Sequence, residues 1–215
     1  MYYVVYSPEE ELKDFVLAAV TLVVSFILIY MPVMLWSPGA IIILAYVIAG
    51  VLSGFLLHEL AHRMTARRLG YIAFFRAWKL GLALSLISAL IIAMLEMAGI
   101  PFPIFFLAPG AVYIYPGPMT PLKTPREVAN DEFLIASAGP LTNIAIAAVA
   151  YALSLIPNIF LMLLIYVAQI NAMLAVFNLL PIPMFDGLKV FKTNPGAWIA
   201  LFIVAGVLLL LTLHF

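Results

Sequence analysis

The chain contains no cysteine. Disulfides, thiolate metal ligands and a cysteine nucleophile are therefore excluded, and any metal must rest on histidine and carboxylate. Charge is scarce too: Asp, Glu, Lys and Arg make up 9% of 215 residues, ten acids against ten bases, for a formal net charge of zero. The bases form no cluster interleaved with aromatics, so nucleic acid is not an expected partner. No polar stretch is long enough for a separate soluble domain, and no internal repeat or low-complexity segment interrupts the apolar richness. Histidine occurs only three times.

What is present is apolar. Hydrophobic residues fill 67% of the positions and the mean hydropathy is +1.20, whereas a soluble domain is about half apolar and a quarter charged. The expected class is an all-α polytopic membrane protein, one domain over residues 1–215, with the lipid bilayer as its solvent. Glu9, Glu10 and Glu11 precede the first apolar run, which does not fit a signal peptide. Ser7-Pro8-Glu9-Glu10 reads instead as a helix start with a capping box.

The apolar runs predict about six transmembrane helices: Phe15–Leu35, Ala40–Leu69 with Gly70 as its cap, Leu80–Ala98, Phe133–Ile156, Ile159–Leu180 and Ala197–Leu213. A short β-like piece is expected at Tyr71–Phe75, and a polar loop from Pro116 to Glu132. Ile100–Tyr115 carries Pro101, Pro103, Pro109 and Gly110, so it reads as a membrane-associated extended or β-loop segment rather than a helix. Such backbone has to be shielded by protein, because lipid satisfies neither amides nor carbonyls.

The ten bases fall at Lys13, within Arg63–Lys79, at Lys123 and Arg126, and at Lys189 and Lys192. They share one side if the region Leu80–Tyr115 crosses an even number of times. The preponderance of basic residues on the cytoplasmic side favours that arrangement, with the N-terminus cytoplasmic. Either helix Leu80–Ala98 crosses outward and the extended segment returns, since sixteen extended residues reach about 50 Å against a hydrocarbon core of about 30 Å, or the two form a re-entrant unit that never fully crosses; the first is the preferred arrangement.

At the end of the uncharged run Ile41–Leu57 comes His58-Glu59-Leu60-Ala61-His62. Positions i and i+4 share a helix face, so His58 and His62 can hold one zinc ion, with Glu59 placed as general base for a water. A metallohydrolase of this kind needs a third protein ligand and an open position. Asp186 is the candidate: it follows the helix break Pro181-Ile182-Pro183, on the side the charge distribution assigns to the histidines, and Gly187 allows the backbone to turn the carboxylate inward. Glu96 reads as an interfacial carboxylate, His214 as a boundary residue, and Asn171 and Gln169 as helix-packing groups. Ligand type points to zinc, although other divalent metals take the same donors.

These motifs, in this order, resemble the site-2 protease family of zinc intramembrane proteases, of an archaeal type. The matching elements are His58 to His62, Ser137-Ala138-Gly139-Pro140-Leu141-Thr142-Asn143, and Asn178-Leu179-Leu180-Pro181 through Asp186-Gly187. The resemblance implies a zinc metalloendopeptidase in which His58, His62 and Asp186 bind one Zn2+ and Glu59 activates water. It further implies Asn178 and Asn143 near the substrate or oxyanion, and Pro109-Gly110 in a membrane-embedded β-loop. The substrates implied are single-span transmembrane proteins, cut within or near the membrane. The apolar run Leu80–Ala98 departs from the simplest members, which pass almost directly from the histidine helix to the β-loop. No nucleotide-binding appendage or PDZ module is seen. A small transporter, or a catalytically silent relative that binds membrane segments, is the competing reading.

Overall fold

The structure, a computed structural model, describes residues 7–35, 37–100, 106–118, 120–157 and 159–213. Among them run, in chain order, α1 (Pro8–Leu35), α2 (Ala40–Arg68), β1 (Ile72–Ala77), α3 (Lys79–Met97), β2 (Gly110–Tyr115), α4 (Pro125–Ser154), α5 (Leu161–Asn178), α6 (Asp186–Thr193) and α7 (Pro195–Thr212). All the helices except α6 are long and apolar enough to cross a membrane, six in number, as the composition requires. The strands pair as a two-stranded sheet. Of the prolines expected to break Ile100–Tyr115, Pro101 and Pro103 lie outside the described residues, as do Asn158 and His214.

Capping chemistry sets the helix starts. Ser7 and Glu10 form the expected box, Glu10 N–H donating to Ser7 Oγ at 3.2 Å and Ser7 N–H to Glu10 Oε2 at 3.3 Å. The same device moves the start of α4. Its apolar run begins at Phe133, and residues up to Glu132 read as loop, but the helix begins at Pro125. Thr124 caps it, Glu127 closes the box at 2.7 and 3.3 Å, and Pro125 occupies the first turn. Proline costs little there, since that N–H has no helical partner. Asn194 likewise starts α7 two residues early, accepting from Ala197 N–H at 3.0 Å. Gly70, at φ +88°, ends α2 as expected. The helix α6 has no counterpart in the sequence reading, because eight residues carry no long apolar run.

The chain falls into two compact units, Met1–Ile48 with Phe74–Tyr113, and Ala49–Ala73 with Ile114–Phe215. In the first, α1 packs on α3, burying Leu22, Phe26, Phe75, Leu82 and Ile92. The extended backbone here is satisfied by side chains of the flanking helices. From α1, Glu11 Oε1 accepts from Phe75 N–H and Asp14 Oδ2 from Ala77 N–H, both at 3.0 Å. These two amides, one pleat apart, face away from β2, so carboxylates occupy the place of a neighbouring strand. From α3, Ser85 Oγ accepts from Ala108 N–H at 3.1 Å, and Ser88 Oγ exchanges bonds with Phe106 N–H and C=O at 3.2 and 3.0 Å. Backbone groups of β1 and of the stretch before β2 are thus paired by four polar side chains of α1 and α3.

In the second unit α4 packs on α5 and α6, and α7 on α5 and α6. Ile144, Ala175, Leu179 and Ala205 form a buried cluster against Trp198, Leu201 and Phe202. Lys123 ties the loop before α4 to the end of α2: its ammonium donates to the Leu69 carbonyl at 2.6 Å, pairs with Asp131, and lies 4.7 Å from the Tyr71 ring centroid. Tyr71 Oη also donates to Asp131, at 3.0 Å. A cation at the open carbonyls of a helix end is favourable. The contact places Lys123 and Arg67 at one end of the unit, which an even number of crossings between them requires.

Candidate metal centre

All three proposed ligands lie in the second unit and come together. His58 and His62 sit one turn apart on α2, 4% and 5% exposed, and Asp186 opens α6. Asp186 Oδ2 is 3.2 Å from His58 Nε2 and 3.0 Å from His62 Nε2, and the two Nε2 atoms are 3.0 Å apart. His58, His62 and Asp186 together form a group able to hold a metal ion.

The protons on the rings can be assigned from their partners. His62 Nδ1 faces the Ile135 carbonyl at 2.6 Å. A carbonyl only accepts, so Nδ1 carries the hydrogen and Nε2 of the neutral ring presents a lone pair. His58 Nδ1 faces Asn143 Oδ1. That oxygen is identified because the other end of the amide, Nδ2, meets the Gly54 carbonyl at 2.9 Å. His58 therefore also presents its Nε2 lone pair. Two lone pairs and a carboxylate oxygen converge at 3.0–3.2 Å, and positive charge has to lie among them. Zinc bonds of about 2.0–2.1 Å at tetrahedral angles separate neighbouring donors by about 3.3 Å, so this donor set matches a metal.

Tight backbone approach explains the positions of these three side chains. A Cβ on Gly139 would lie 2.2 Å from His62 Nε2 and 2.6 Å from His58 Nε2, so the α4 backbone passes directly over the centre. Pro140, next to it, cannot donate to the Ala136 carbonyl, which loosens α4 where it passes the histidines. Beyond α5 the chain turns sharply: Ile182 N–H donates to the Leu180 carbonyl at 2.8 Å, and Met184 has φ +83°. Gly187 has ordinary backbone angles, and its glycine identity serves space rather than a turn. A Cβ there would lie 2.2 Å from the Leu179 carbonyl. Trp198 Nε1–H donates to that same carbonyl at 2.7 Å, fixing the platform on which α6 and Asp186 rest.

Glu59 follows His58 on α2 and is buried, 7% exposed. Asn143 is fully buried and lies behind His58, its amide committed to His58, Gly54 and Asn171. Asn178 ends α5 and donates to the Leu174 carbonyl of its own helix at 2.9 Å. Glu96 lies on α3 in the other unit. Sequence reasoning missed the glycine pair Gly50 and Gly54, whose absent side chains admit Ile170 and Leu174 of α5. The four-residue spacing of small residues in an apolar run was the available signal.

No family model matches the chain, and no solved structure matches it. Among curated proteins it is similar to one from Methanocaldococcus jannaschii named "Putative zinc metalloprotease MJ0611". The two are 45% identical over 161 residues, 73% of this chain and 75% of that protein. Identity and coverage of that order, on a chain whose two motif histidines meet a distant aspartate, establish kinship: the chain belongs to a family of archaeal zinc metalloproteases akin to the site-2 proteases.

Proposed function

We propose that the protein is an intramembrane zinc endopeptidase of the site-2 protease type, hydrolysing peptide bonds within or near transmembrane segments of single-span substrates, as in regulated intramembrane proteolysis. The observation that carries this reading is the convergence of His58 Nε2, His62 Nε2 and Asp186 Oδ2 where two of the donors belong to a helix apolar enough to cross a membrane. When bound, zinc supplies a Lewis acid that polarises the scissile carbonyl and acidifies water. Glu59 takes the proton of the attacking water and passes it to the leaving amine. Asn143 holds His58, and Asn178 retains a second amide hydrogen for a substrate oxygen. The active site opens to the cytoplasm, the side assigned by the basic residues.

A helical substrate has its carbonyls occupied and must unwind before attack. The two-stranded sheet offers β2 as a template for an added strand, because the far edge of β1 is taken by Glu11 and Asp14. Proline substitutions along β2 that leave cleavage unchanged would count against this step.

The decisive experiment compares the purified wild type with Glu59→Gln for bound zinc and for cleavage of a single-span substrate. One zinc per chain in both proteins is expected, with cleavage in the wild type reduced at least about a hundredfold in the variant. Zinc without cleavage across several substrates would favour a silent binding module. No zinc in either protein would sink the enzyme reading and return attention to transport.

A further inference from the structure

Behind His58 a chain of buried amides runs through three helices of the second unit. Asn143 on α4 and Asn171 on α5 are both 0% exposed. Every hydrogen in the chain points away from the metal centre. His58 Nδ1–H donates to Asn143 Oδ1. Asn143 Nδ2 donates to the Gly54 carbonyl at 2.9 Å and to Asn171 Oδ1 at 3.0 Å. Asn171 Nδ2 donates to the Val167 carbonyl at 2.9 Å, to Ser53 Oγ at 3.1 Å and, at 3.4 Å, to the Gly50 carbonyl. Ser53 in turn donates to the Gly50 carbonyl at 3.0 Å.

The direction matters because an asparagine amide reversed by a half-turn exchanges donor for acceptor. With Asn143 reversed, Nδ2 would face His58 Nδ1, the ring proton would move to Nε2, and the metal donor would be lost. Two groups oppose that reversal, the Gly54 carbonyl and Asn171 Oδ1. The orientation of Asn171 is fixed in turn by backbone carbonyls, which cannot reverse. Aligned hydrogen bonds also polarise one another, making Asn143 Oδ1 a better acceptor and His58 a stronger donor to a metal. The approach of α5 that permits this depends on Gly54, where a Cβ would lie 2.5 Å from Leu174 and 3.3 Å from Asn171 Oδ1.

We propose that Asn171 is a positioning residue for the metal centre: acting through Asn143, it fixes His58 in the tautomer and orientation that offer Nε2 to zinc. The inference rests on the zinc reading above and extends it from the ligands to a helix that contributes none of them.

The test measures zinc affinity by chelator competition on the full chain in detergent. Asn171→Leu keeps the branched side-chain skeleton and removes the amide, and a loss of about tenfold to a hundredfold is expected. Asn171→Asp, neutral when protonated, can still accept from Asn143 and donate to a carbonyl, and should restore most of the affinity. In an Asn143→Leu background, Asn171→Leu should cost nothing further, because the two act in series. In the metal-free wild type, histidine nitrogen resonances should report the Nδ1–H tautomer at His58. Unchanged affinity in Asn171→Leu would overturn the proposal, as would a loss that Asp does not rescue or that persists undiminished without Asn143. An Nε2–H tautomer in the metal-free wild type would do so even if the leucine variant failed to fold. A wild type that binds no zinc would instead remove the metal centre itself, whereas a zinc-binding wild type with any of these results removes only the role of Asn171.

Discussion

At the scale of single residues, Gly139 is where the space around the proposed metal is most constrained. Glycine in a helix interior costs about 0.5–1 kcal/mol relative to alanine, and α4 accepts that cost at a point where a Cβ would lie 2.2 Å from His62 Nε2. Gly139→Ala is therefore expected to keep the helical content while lowering zinc affinity about tenfold or more, read by circular dichroism and chelator competition. Wild-type zinc binding in that variant would mean that α4 does not press on the ligands. The pairing of His58 and His62 was legible in the sequence because it is local: i, i+4 spacing on one helix face brings the two rings together without tertiary information. Asp186 was legible only through a helix break and an argument about sides. Position after a helix break suggests a backbone turn for Gly187, whereas the residue at positive φ is Met184 and Gly187 is required by the Leu179 carbonyl beneath it. Asn171 read as an ordinary packing residue, because nothing in its own neighbourhood of the chain records that its partner is Asn143, 28 residues away in sequence.

At the scale of elements, the six long helices follow from apolar runs of membrane-crossing length, and their ends follow from caps. The early start of α4 shows what such runs conceal: Thr124, Pro125 and Glu127 carry a start signal, but the polar residues between it and Phe133 read as loop. The sheet was legible as extended chain and no further, since its outer partners are side chains of other elements. Glu11 is 7% exposed and Phe75 is fully buried, so loss of the Glu11 carboxylate would remove a buried acceptor of the Phe75 amide. Glu11→Met is expected to destabilise the protein by about 1–3 kcal/mol, the usual cost of a buried unsatisfied donor. Glu11→Gln keeps an oxygen in place and should cost much less. Methionine and glutamine have similar helix propensities, so a difference between the two in detergent unfolding would report the β1 contact rather than α1 itself. Equal stability of the two variants would show that the carboxylate is not the strand's needed partner.

At the scale of the molecule, the path of the chain between Leu80 and Tyr115 relative to the bilayer turns on the side reached by the end of α3. Lys123 at the Leu69 carbonyl means that the chain returns, after this region, to the end of α2 it left. Such a return is satisfied by α3 crossing outward with an extended segment coming back, and equally by a unit that enters and leaves one face. Charge cannot separate the two, because no basic residue lies between Leu80 and Tyr115. The absence of cysteine makes the question tractable, since each introduced thiol is the sole target for a label. Arg68→Cys, Leu122→Cys and Lys192→Cys, all at exposed positions, should react from the cytoplasmic side, and Ile159→Cys, between α4 and α5, from the opposite side. Ala98→Cys, at the end of α3, is the deciding position. Labelling from the same side as Ile159→Cys is expected, because the 19 residues of α3 span about 28 Å, close to the hydrocarbon thickness. Labelling from the side of Leu122→Cys would make α3 and the extended segment a re-entrant pair, and the membrane would then be crossed by one helix fewer than length and composition allow.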